Sequence, residues 1–545
     1  MSQLLIGSEK PWEAMMWALA VFPLIVVLAM ITGLRRPAHW AAATGSVVAA
    51  LLIWWRPEFT LPGTALGAGA GGAGLLVLNA AAVMLPGVYL SQVLTRHGVH
   101  RSLGEWVRAL PLSGPAKVAL VVAGIAPTVE ALTGFGVSLL VTVPVLLALA
   151  PPATALRQAM LGMNIIPWGT LGLATVIGAA LAEVPTATLG VATAVTSALI
   201  FPLVTVWAAL LARHENHSRT VLLAAGAGGL LALGLLIVNG LGIVPPAGVL
   251  AGLFGTTVAL VLCAARRPRR IEAQLATALS EVGGAHEENA MHDGSGAHPR
   301  SAFDRSGTHD PNGALALEPQ SGPARLLPPR TVLRAYGLVL GGIAILRLAT
   351  TAGIGPLALH AGGASFALLS SPGLPLLAAA LLLDRGRPRI PDLRAALTRV
   401  TRPLLALTGF VVLGRLMADS GMIARLGAAV ANAPEPVVAV AAPALGMLSG
   451  FVTGSNVGGN VLMMSLQQQL APTGLGTWFA ALQNSGAGHA VFTSLPMIML
   501  ILAVAGERAT AAGVTENQLL RFGLRVAAAI YLLLAVTAVA VVAIG

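Results

Sequence analysis

Long apolar runs separated by short polar segments recur along the whole chain. A run of about 18 or more apolar residues is long enough to cross a membrane as a helix. The pattern therefore predicts membrane-spanning helices near 14–34, 39–55, 64–92, 158–183, 187–212, 220–240, 244–265, 331–350, 358–383, 402–418, 476–503 and 520–544. Because the first run is long enough to span, it predicts a retained helix rather than a cleaved signal peptide.

Two further apolar stretches, 115–150 and 437–469, are interrupted in the middle by Gly, Thr, Ser or Asn. We interpret them as re-entrant hairpins that enter and leave the membrane on the same side. Every cluster of Arg and Lys between the spans then falls on one face, which the positive-inside rule makes the cytoplasmic face. Counting either stretch as a full crossing would scatter the clusters over two faces. Both termini are expected outside the cytoplasm, and the plasma membrane is the expected location.

The composition excludes several classes of protein. Of the 545 residues, 56% are apolar and only 10% are charged, which is too little polar surface for a water-soluble particle of this size. A soluble enzyme, a coiled coil and a disordered protein are therefore excluded, and an all-α polytopic membrane protein is the expected fold class. The formal net charge of +11 is explained by basic cytoplasmic loops and does not indicate a nucleic acid partner. Cys263 is the single cysteine, so no internal disulfide can form.

Residues 266–330 differ from the rest of the chain, because they are rich in Gly, Pro, Ser and charged residues and show almost no periodic apolar signal. They contain four of the eleven histidines, His286, His292, His298 and His309. A metal-binding regulatory loop is one interpretation, but these histidines lack a tight ligand spacing. The composition favours a disordered cytoplasmic linker between a first membrane repeat, 1–265, and a second one, 331–545.

The pattern A-P-x4-L-[ST]-G-F occurs twice, at 126–135 and 442–451. Each copy lies in one interrupted stretch and is followed by an asparagine that enters a long span, Asn164 or Asn484. By the charge pattern the two hairpins open to opposite sides, so the copies are inverted. The expected architecture is therefore two inverted-topology repeats, each with a re-entrant broken-helix hairpin. This arrangement is typical of secondary transporters that bind their substrate between the repeats.

The middle of each interrupted stretch, 133–138 in the first and 450–460 in the second, is rich in glycine and small polar residues. We call these segments the first and second hairpin tips, and their composition predicts a binding site for an organic anion. A helix that starts at such a tip presents free backbone N–H groups and the positive end of its dipole. Close helix packing at glycines is the alternative, but buried asparagines are costly without partners and favour a binding site. The predicted substrate-binding residues are Thr133, Gly134, Phe135, Gly136, Asn164, Thr453, Gly454, Ser455, Asn456, Asn460 and Asn484.

Two titratable residues are candidates for proton coupling. Glu130 is the only acid within the two interrupted stretches, and a carboxylate inside a membrane is costly and by default functional. The alternative is a structural glutamate that accepts hydrogen bonds from the tip amides. His489, five residues after Asn484, is the second candidate, although a lone histidine in a packed helix is as readily structural. No metal site and no cofactor are expected.

Four short motifs resemble those of the lactate permease family. Glu130-x3-Gly134-Phe135-Gly136 resembles the family's E-G-x-x-G-F-G signature, and Asn164-x2-Pro167-Trp168-Gly169-x2-Gly172 resembles its N-T-x-x-x-F-G-x-x-G stretch. Thr453-Gly454-Ser455-Asn456, with Asn460 and Leu466-Gln467, is similar to T-G-S-D-x-x-x-N…L-Q, and Asn484 with Pro496 keeps the spacing of N-x11-P. The resemblance implies proton-coupled uptake of lactate, glycolate and related 2-hydroxymonocarboxylates.

The chain departs from the family pattern at three positions. Ala131 replaces a glycine, Asn456 replaces the acid of T-G-S-D, and Phe492 stands where a lysine is expected, with His489 as the nearest basic group. Losing one acidic and one basic residue together is consistent with removal of an ion pair, or with a different substrate or coupling ion.

These features predict a secondary active transporter, and not an enzyme, for a small 2-hydroxymonocarboxylate such as lactate or glycolate. The expected partners are the organic anion, a proton and membrane lipid. A Na⁺-coupled carrier, a sulfonate or dicarboxylate carrier and an anion channel are the alternatives.

Overall fold

The computed structural model describes residues 9–61, 63–134, 136–211, 217–265, 327–355, 357–361, 364–430 and 433–544. Within these ranges the chain is almost entirely helical, apart from an antiparallel hairpin of two short strands, β1 (Ala358–Ala361) and β2 (Ala364–Ala367). The predicted class, an all-α polytopic membrane protein, is confirmed. The four histidines of the predicted linker lie outside the described residues, so the linker and its metal-binding alternative stay predictions.

The helices up to residue 265 are α1 (Glu9–Leu28), α2 (Ala38–Trp55), α3 (Gly63–Arg96), α4 (Val99–Ala109), α5 (Gly114–Thr133), α6 (Leu139–Leu147), α7 (Pro152–Leu161), α8 (Leu173–Ala182), α9 (Thr186–Ser197), α10 (Ile200–Leu210), α11 (His217–Gly240) and α12 (Ala247–Ala265). Those after residue 327 are α13 (Arg330–Thr351), α14 (Gly373–Leu383), α15 (Ile390–Asp419), α16 (Met422–Val430), α17 (Glu435–Thr453), α18 (Asn456–Leu470), α19 (Gly476–Ala490), α20 (Leu495–Ala505), α21 (Glu507–Ala511) and α22 (Glu516–Ile544). A π-helical turn extends α1, and a second one, Val121–Ile125, lies inside α5.

Among the described residues, 10 helices are long and apolar enough to cross a membrane, or up to 12 if two bent pairs are each one span. Most of them coincide with the predicted spans, while α5 and α17 are the first limbs of the two interrupted stretches. Long uninterrupted apolar helices are the strongest signal that a sequence carries, which explains this agreement.

Several predicted spans are wrong in detail. The span predicted at 158–183 is two helices, α7 and α8, with an irregular segment between them, and the one at 187–212 is divided into α9 and α10. In the region predicted as 358–383 a helix begins only at Gly373, after the β-hairpin. The span at 476–503 is the pair α19 and α20, with a bend of 43°.

The irregular segment between α7 and α8 contains residues that stop a helix. Gly169 and Gly172 have φ angles of 65° and 73°, which glycine adopts without the steric cost that other residues meet. Trp168 and Leu171 in this segment are fully buried. Non-helical backbone is tolerated at membrane depth only where protein or a wet cavity surrounds it, so the segment has the environment that such a break requires.

Both interrupted stretches break at a glycine with positive φ. Gly134, with φ 68°, follows α5, and Gly454, with φ 63°, follows α17. After the second break α18 runs back along α17. This is shown by the hydrogen bond from Gln467 Nε2, late in α18, to the carbonyl of Ala442, early in α17, at 2.7 Å. The inverted relation of the two stretches, the repeat boundaries and the side on which the termini lie stay predictions.

The two copies of the repeated pattern do not break at the same position. Gly134 is the break in the first copy, whereas Gly450, its counterpart in the second copy, lies inside α17. A Cβ at Gly450 would overlap the backbone of Ala487 on α19, so this glycine allows two helices to pack closely. The second break falls later, at Gly454.

The helices up to residue 265, which we call the first part of the chain, pack against those after residue 327, the second part. In particular, α15 packs along α2 and α3, and α9 packs against α19. At one end of this interface Arg96 Nη2 lies 2.6 Å from Asp384 Oδ2, and Arg96 Nε lies 2.8 Å from Asp392 Oδ2. The basic segments that follow α3 and α14 therefore lie at the same end of the molecule, as the orientation prediction requires.

Candidate functional site

Three buried asparagine side chains form a cluster where the two parts of the chain meet. Asn456 and Asn460 lie one turn apart on α18, and Asn484 lies on α19. Asn484 Oδ1 accepts hydrogen bonds from Asn456 Nδ2 at 3.0 Å and from Asn460 Nδ2 at 2.7 Å. We call these three residues the amide cluster. Each of them is a predicted substrate-binding residue, and the structure brings them together.

The amide cluster donates hydrogen bonds to backbone carbonyls of the first part of the chain. Asn456 Nδ2 and Asn484 Nδ2 lie 3.0 and 3.1 Å from the carbonyl of Pro167. Asn460 Nδ2 lies 3.2 Å from the carbonyl of Ala174. Because the chain is not helical at Pro167, the carbonyl of Pro167 is free to accept hydrogen bonds from side chains. The break between α7 and α8 therefore makes the contact with α18 and α19 possible.

These carbonyls fix the orientation of the amide groups. A carbonyl oxygen only accepts hydrogen bonds, so the atom that faces it is the amide nitrogen. The Oδ1 atoms of Asn456 and Asn460 point elsewhere, and both are buried without a hydrogen-bond partner among the described residues. Buried acceptors without donors are costly. The cluster therefore offers two oxygen atoms that suit a ligand carrying an O–H or N–H group.

The sequence reasoning missed the hydroxyl groups that complete the cluster. Asn484 Nδ2 also donates to Thr175 Oγ1 at 3.3 Å and to Thr193 Oγ1 at 3.1 Å, on α8 and α9. A threonine in an apolar helix usually bonds its own backbone, so neither residue carries a distinct signal in the sequence. Gln483, the neighbour of Asn484, donates to Ser449 Oγ at 3.0 Å and extends the polar centre towards α17.

The second hairpin tip lies beside the start of α20. Ser455 caps α18 by accepting a hydrogen bond from the backbone nitrogen of Gly458 at 3.3 Å, and Thr453 Oγ1 lies 2.8 Å from the carbonyls of both Ser449 and Ser455. A Cβ at Gly454 would lie 3.4 Å from Ser494 Oγ, which is buried and has no partner among the described residues. The N-terminal ends of α18 and α20 thus lie next to Gly454, and both carry positive dipole ends.

Glu130 holds the first hairpin tip together. Its carboxylate accepts hydrogen bonds from the backbone nitrogens of Gly136 at 3.0 Å and Ser138 at 3.3 Å, and from Ser138 Oγ at 2.8 Å. It therefore caps the start of α6, as a carboxylate at a helix N-terminus does. Arg399 on α15 adds an electrostatic interaction. These contacts match the structural role considered for Glu130, and its role in proton coupling stays a prediction.

The other predicted residues of the first tip occupy different positions. Gly134 packs so closely against Thr170 that a Cβ would overlap the threonine hydroxyl. Thr133 Oγ1 donates to the carbonyl of Val129 in its own helix at 2.7 Å. Phe135 lies outside the described residues. The first tip therefore packs against the irregular segment between α7 and α8.

Asn164 connects α5 to this irregular segment. Its Nδ2 donates to the carbonyl of Val122 in the π-helical turn of α5 at 3.1 Å, and its Oδ1 is buried without a partner among the described residues. The adjacent Met163 Sδ lies 3.3 Å from Ser138 Oγ. One irregular segment thus contacts the Glu130 cap at one end and the amide cluster at the other, while Asn164 itself is not part of the cluster.

His489 is fully buried on α19 and faces the first part of the chain. Its Nε2 lies 3.0 Å from Ser197 Oγ at the end of α9. Its ring packs edge-on against Phe201 with the ring centroids 5.6 Å apart. His489 therefore lies at the same interface as the amide cluster.

The fold and the site define a polytopic α-helical membrane protein in which interrupted helices surround a buried polar centre, an arrangement typical of secondary transporters. The model of the L-lactate permease family matches residues 349–545. This match confirms the resemblance for the part of the chain that contains the amide cluster, and together with the apolar helices it supports a membrane transporter of the lactate type. The motifs at 130–136 and 164–172 lie outside the match. No curated protein matches the chain.

Proposed function

We propose that the protein is a secondary active transporter that takes up a small 2-hydroxymonocarboxylate, such as lactate or glycolate, together with a proton across the plasma membrane. The observation that carries the proposal is the amide cluster, which joins the two parts of the chain and holds, in a buried centre, oxygen atoms that no described residue pairs. Rocking of one part against the other around such a centre is the usual route to alternating access.

The hydroxyl group of a 2-hydroxy acid fits the unpaired oxygens of the cluster. Its single O–H can donate to one of the Oδ1 atoms of Asn456 and Asn460, which have no donor among the described residues. A monocarboxylate without this hydroxyl, such as propionate, leaves that oxygen unpaired. Because one hydrogen bond contributes about 1 kcal/mol, we expect propionate to bind roughly five- to tenfold more weakly than lactate.

We assign the carboxylate of the substrate to the second hairpin tip. The starts of α18 and α20 adjoin Gly454, and the hydroxyl of Ser494 is buried there without a partner among the described residues. Helix N-termini and a hydroxyl donor together favour an anion. The first tip and Asn164 would line the opposite side of the same site.

Proton coupling is assigned to Glu130, with His489 as a second group. In the structure three donors point at the Glu130 carboxylate. A protonated carboxyl accepts fewer hydrogen bonds, so proton uptake weakens the cap at the start of α6 and favours opening of the first tip. This links protonation to a movement of the hairpin.

The proposal is tested by uptake of labelled L-lactate into proteoliposomes with an imposed inward proton gradient. We expect the wild-type protein to accumulate lactate and Glu130→Gln to abolish accumulation. Ser138→Ala is the matched control, because it removes one hydrogen bond of the cap but keeps the carboxylate, and it should still accumulate lactate. Unchanged accumulation by Glu130→Gln would remove Glu130 from the mechanism, and no accumulation by folded wild-type protein would contradict the proposal.

Na⁺ coupling is the second candidate, because unpaired amide oxygens and a carbonyl outside a helix also suit a small cation. Replacing Na⁺ by choline in the same assay should leave uptake unchanged if protons are the coupling ion. Competition by a sulfonate or a dicarboxylate would indicate a different substrate class. Flux that does not saturate with lactate would indicate an anion channel.

A further inference from the structure

A chain of hydrogen-bonded hydroxyl groups leads from His489 to the backbone of Thr193, a residue that also contacts the amide cluster. From His489 Nε2 it runs 3.0 Å to Ser197 Oγ, a further 3.0 Å to Ser485 Oγ, and 2.6 Å to Thr196 Oγ1. Thr196 Oγ1 then donates to the carbonyl of Thr193 at 3.1 Å. Thr193 is the residue whose side chain accepts a hydrogen bond from the amide cluster. We call Ser197, Ser485 and Thr196 the hydroxyl chain, and all three are buried.

Thr196 Oγ1 donates to the carbonyl of Thr193, and this bond assigns a direction to the other hydrogen bonds of the chain, in each of which either oxygen could otherwise be the donor. Thr196 gives its single proton to the Thr193 carbonyl, which has none to give. Ser485 therefore donates to Thr196, and Ser197 donates to Ser485. Ser197 has then no proton left for the imidazole. His489 must carry its hydrogen on Nε2 and donate it to Ser197, which leaves Nδ1 as its basic nitrogen.

We infer that the hydroxyl chain positions His489 for proton coupling, by holding it in the Nε2–H tautomer so that Nδ1 takes up the transported proton. This inference rests on the proposed function. When Nδ1 binds a proton, the hydrogen on Nε2 stays in place, and the charged ring becomes a stronger donor to Ser197. The chain ends at the backbone carbonyl of Thr193, and the Thr193 side chain accepts from Asn484, so the hydroxyl chain and the amide cluster meet at this residue.

The surroundings of His489 contain few groups that titrate. Within the described ranges, α8, α9, α10 and α18 carry no charged side chain. The helices α17 and α22, which also pack against α19, carry Glu435, Glu516, Arg521, Arg525 and Tyr531. Glu435, Arg521 and Arg525 are exposed, Glu516 lies in the first turn of α22, and Tyr531 donates to a carbonyl of α17. The hydroxyl chain is therefore the polar contact that adjusts proton binding at His489.

The tautomer is measured directly by magic-angle-spinning NMR of ¹⁵N-histidine-labelled protein in lipid bilayers. The His489 signals are identified as those that vanish in His489→Gln. His100 on α4 is an internal control, because Thr95 Oγ1 gives its proton to the carbonyl of Ser91 and so must accept from His100 Nδ1 at 3.2 Å. The same reasoning thus predicts opposite tautomers, Nε2–H for His489 and Nδ1–H for His100. A hydrogen on Nδ1 of neutral His489 would overturn the inference.

The role in coupling is tested by the pH dependence of lactate uptake in Ser485→Ala. Without Ser485, Ser197 regains its proton and can donate it to Nε2, which stabilises the neutral ring. We expect the pH midpoint of uptake to move to lower pH by about one unit, and the His489 signals to show the Nδ1–H tautomer. Thr205→Val is the control, because its buried hydroxyl bonds only the carbonyl of Phe201 in its own helix, and it should keep the wild-type midpoint. Ser197→Ala is the second variant if Ser485→Ala does not fold.

The outcomes separate this inference from the proposed function. If wild-type protein takes up lactate with protons but the midpoint of both folded serine variants equals that of the wild type, the positioning role is wrong and the proposed function stands. If the wild type shows no proton-driven uptake, the proposed function fails, and the role of His489 in coupling fails with it. A lowered midpoint together with the Nε2–H tautomer in the wild type supports both.

Discussion

At the scale of single residues, Asn456 shows how the structure explains a departure from the family pattern. The lactate permease motif has an acid at this position, whereas Asn456 Nδ2 donates to the carbonyls of Ile166 and Pro167 and to Asn484 Oδ1. All three partners are acceptors, so an amide nitrogen is required there. In this chain a carboxylate would face three oxygen atoms.

Asn456→Asp is therefore expected to destabilise the protein, although it restores the family motif. The substitution replaces the donor by an acceptor and leaves buried groups unpaired, which costs about 1–3 kcal/mol for each group. Thermal unfolding in detergent, followed by tryptophan fluorescence, should show a clearly lower midpoint. Asn517→Asp, at an exposed position on α22, is the matched control and should unfold like the wild type. Equal stability of Asn456→Asp and the wild type would refute the assigned amide orientation.

The sequence predicts which asparagines are candidates for the site, but it does not predict which groups they contact. Asn456, Asn460 and Asn484 are recognisable because an amide in an apolar stretch needs partners. Their partners include Pro167 and Thr193, which are remote in sequence and become neighbours only because the chain breaks between α7 and α8. Pairings of this kind depend on tertiary packing, which the periodicity of one segment does not encode.

At the scale of elements, the glycine that ends α5 tests whether the first tip needs its observed conformation. Gly134→Ala places a side chain at φ 68° and ψ −172°, a region that essentially only glycine adopts and that costs about 1–3 kcal/mol, and its Cβ would also overlap the Thr170 hydroxyl. We expect loss of folded protein, or a large decrease in thermal stability, measured by size-exclusion chromatography and unfolding.

Two controls separate the contributions to this effect. Gly474 has φ 84° but open space around it, so Gly474→Ala should show the strain of a positive φ without a close contact. Gly226 lies inside α11 with ordinary φ and open space, so Gly226→Ala should be neutral or slightly stabilising. If Gly134→Ala behaves like Gly474→Ala, the close contact with Thr170 is not present in solution.

The accuracy of the predicted elements follows from their length and continuity. Long helices such as α11 and α22 agree with the prediction because one apolar run is enough to define them. The break between α7 and α8 was missed because its residues are as apolar as a helix interior and the glycines alone do not locate the stop. The β-hairpin before α14 was not predicted because its two strands are too short to show an alternating pattern of apolar and polar residues.

At the scale of the whole molecule, a network of ion pairs connects the end of α3 with α14 and α15. Asp384 is almost fully buried, with 2% of its side chain exposed, and lies beside Arg96 and His97. Burial alone would raise the pKa of Asp384, but the hydrogen bonds from Arg96 and His97 outweigh it, so the pKa is lowered. The network therefore stabilises the folded state while Asp384 is ionised.

Asp384→Asn should lower the free energy of unfolding by about 2 kcal/mol near neutral pH, because it removes charged hydrogen bonds. A carboxylate with a lowered pKa contributes fully above its ordinary value of about 4 and loses the contribution as the pH falls through the folded-state value. The difference between wild type and Asp384→Asn should thus be constant at neutral pH and shrink below about pH 4. Unfolding titrations in mixed micelles measure it.

Asp419→Asn is the control for this prediction. Asp419 pairs with Arg415 at 3.5 Å, and 22% and 34% of the two side chains are exposed; a single, long and partly exposed ion pair contributes little. Its effect on unfolding should therefore be small at every pH. A difference between wild type and Asp384→Asn that grows on acidification would contradict the assigned network.

The central claim is that the amide cluster binds the transported organic anion between the two parts of the chain. Counterflow of labelled against unlabelled L-lactate in proteoliposomes tests it most directly, because exchange needs binding and alternating access but no ion gradient. We predict exchange by the wild type and by Asn517→Ala, and at least about tenfold slower exchange by Asn460→Ala, which removes one donor and one unpaired acceptor of the site. Absence of exchange by folded wild-type protein, or wild-type exchange by Asn460→Ala, would contradict the claim.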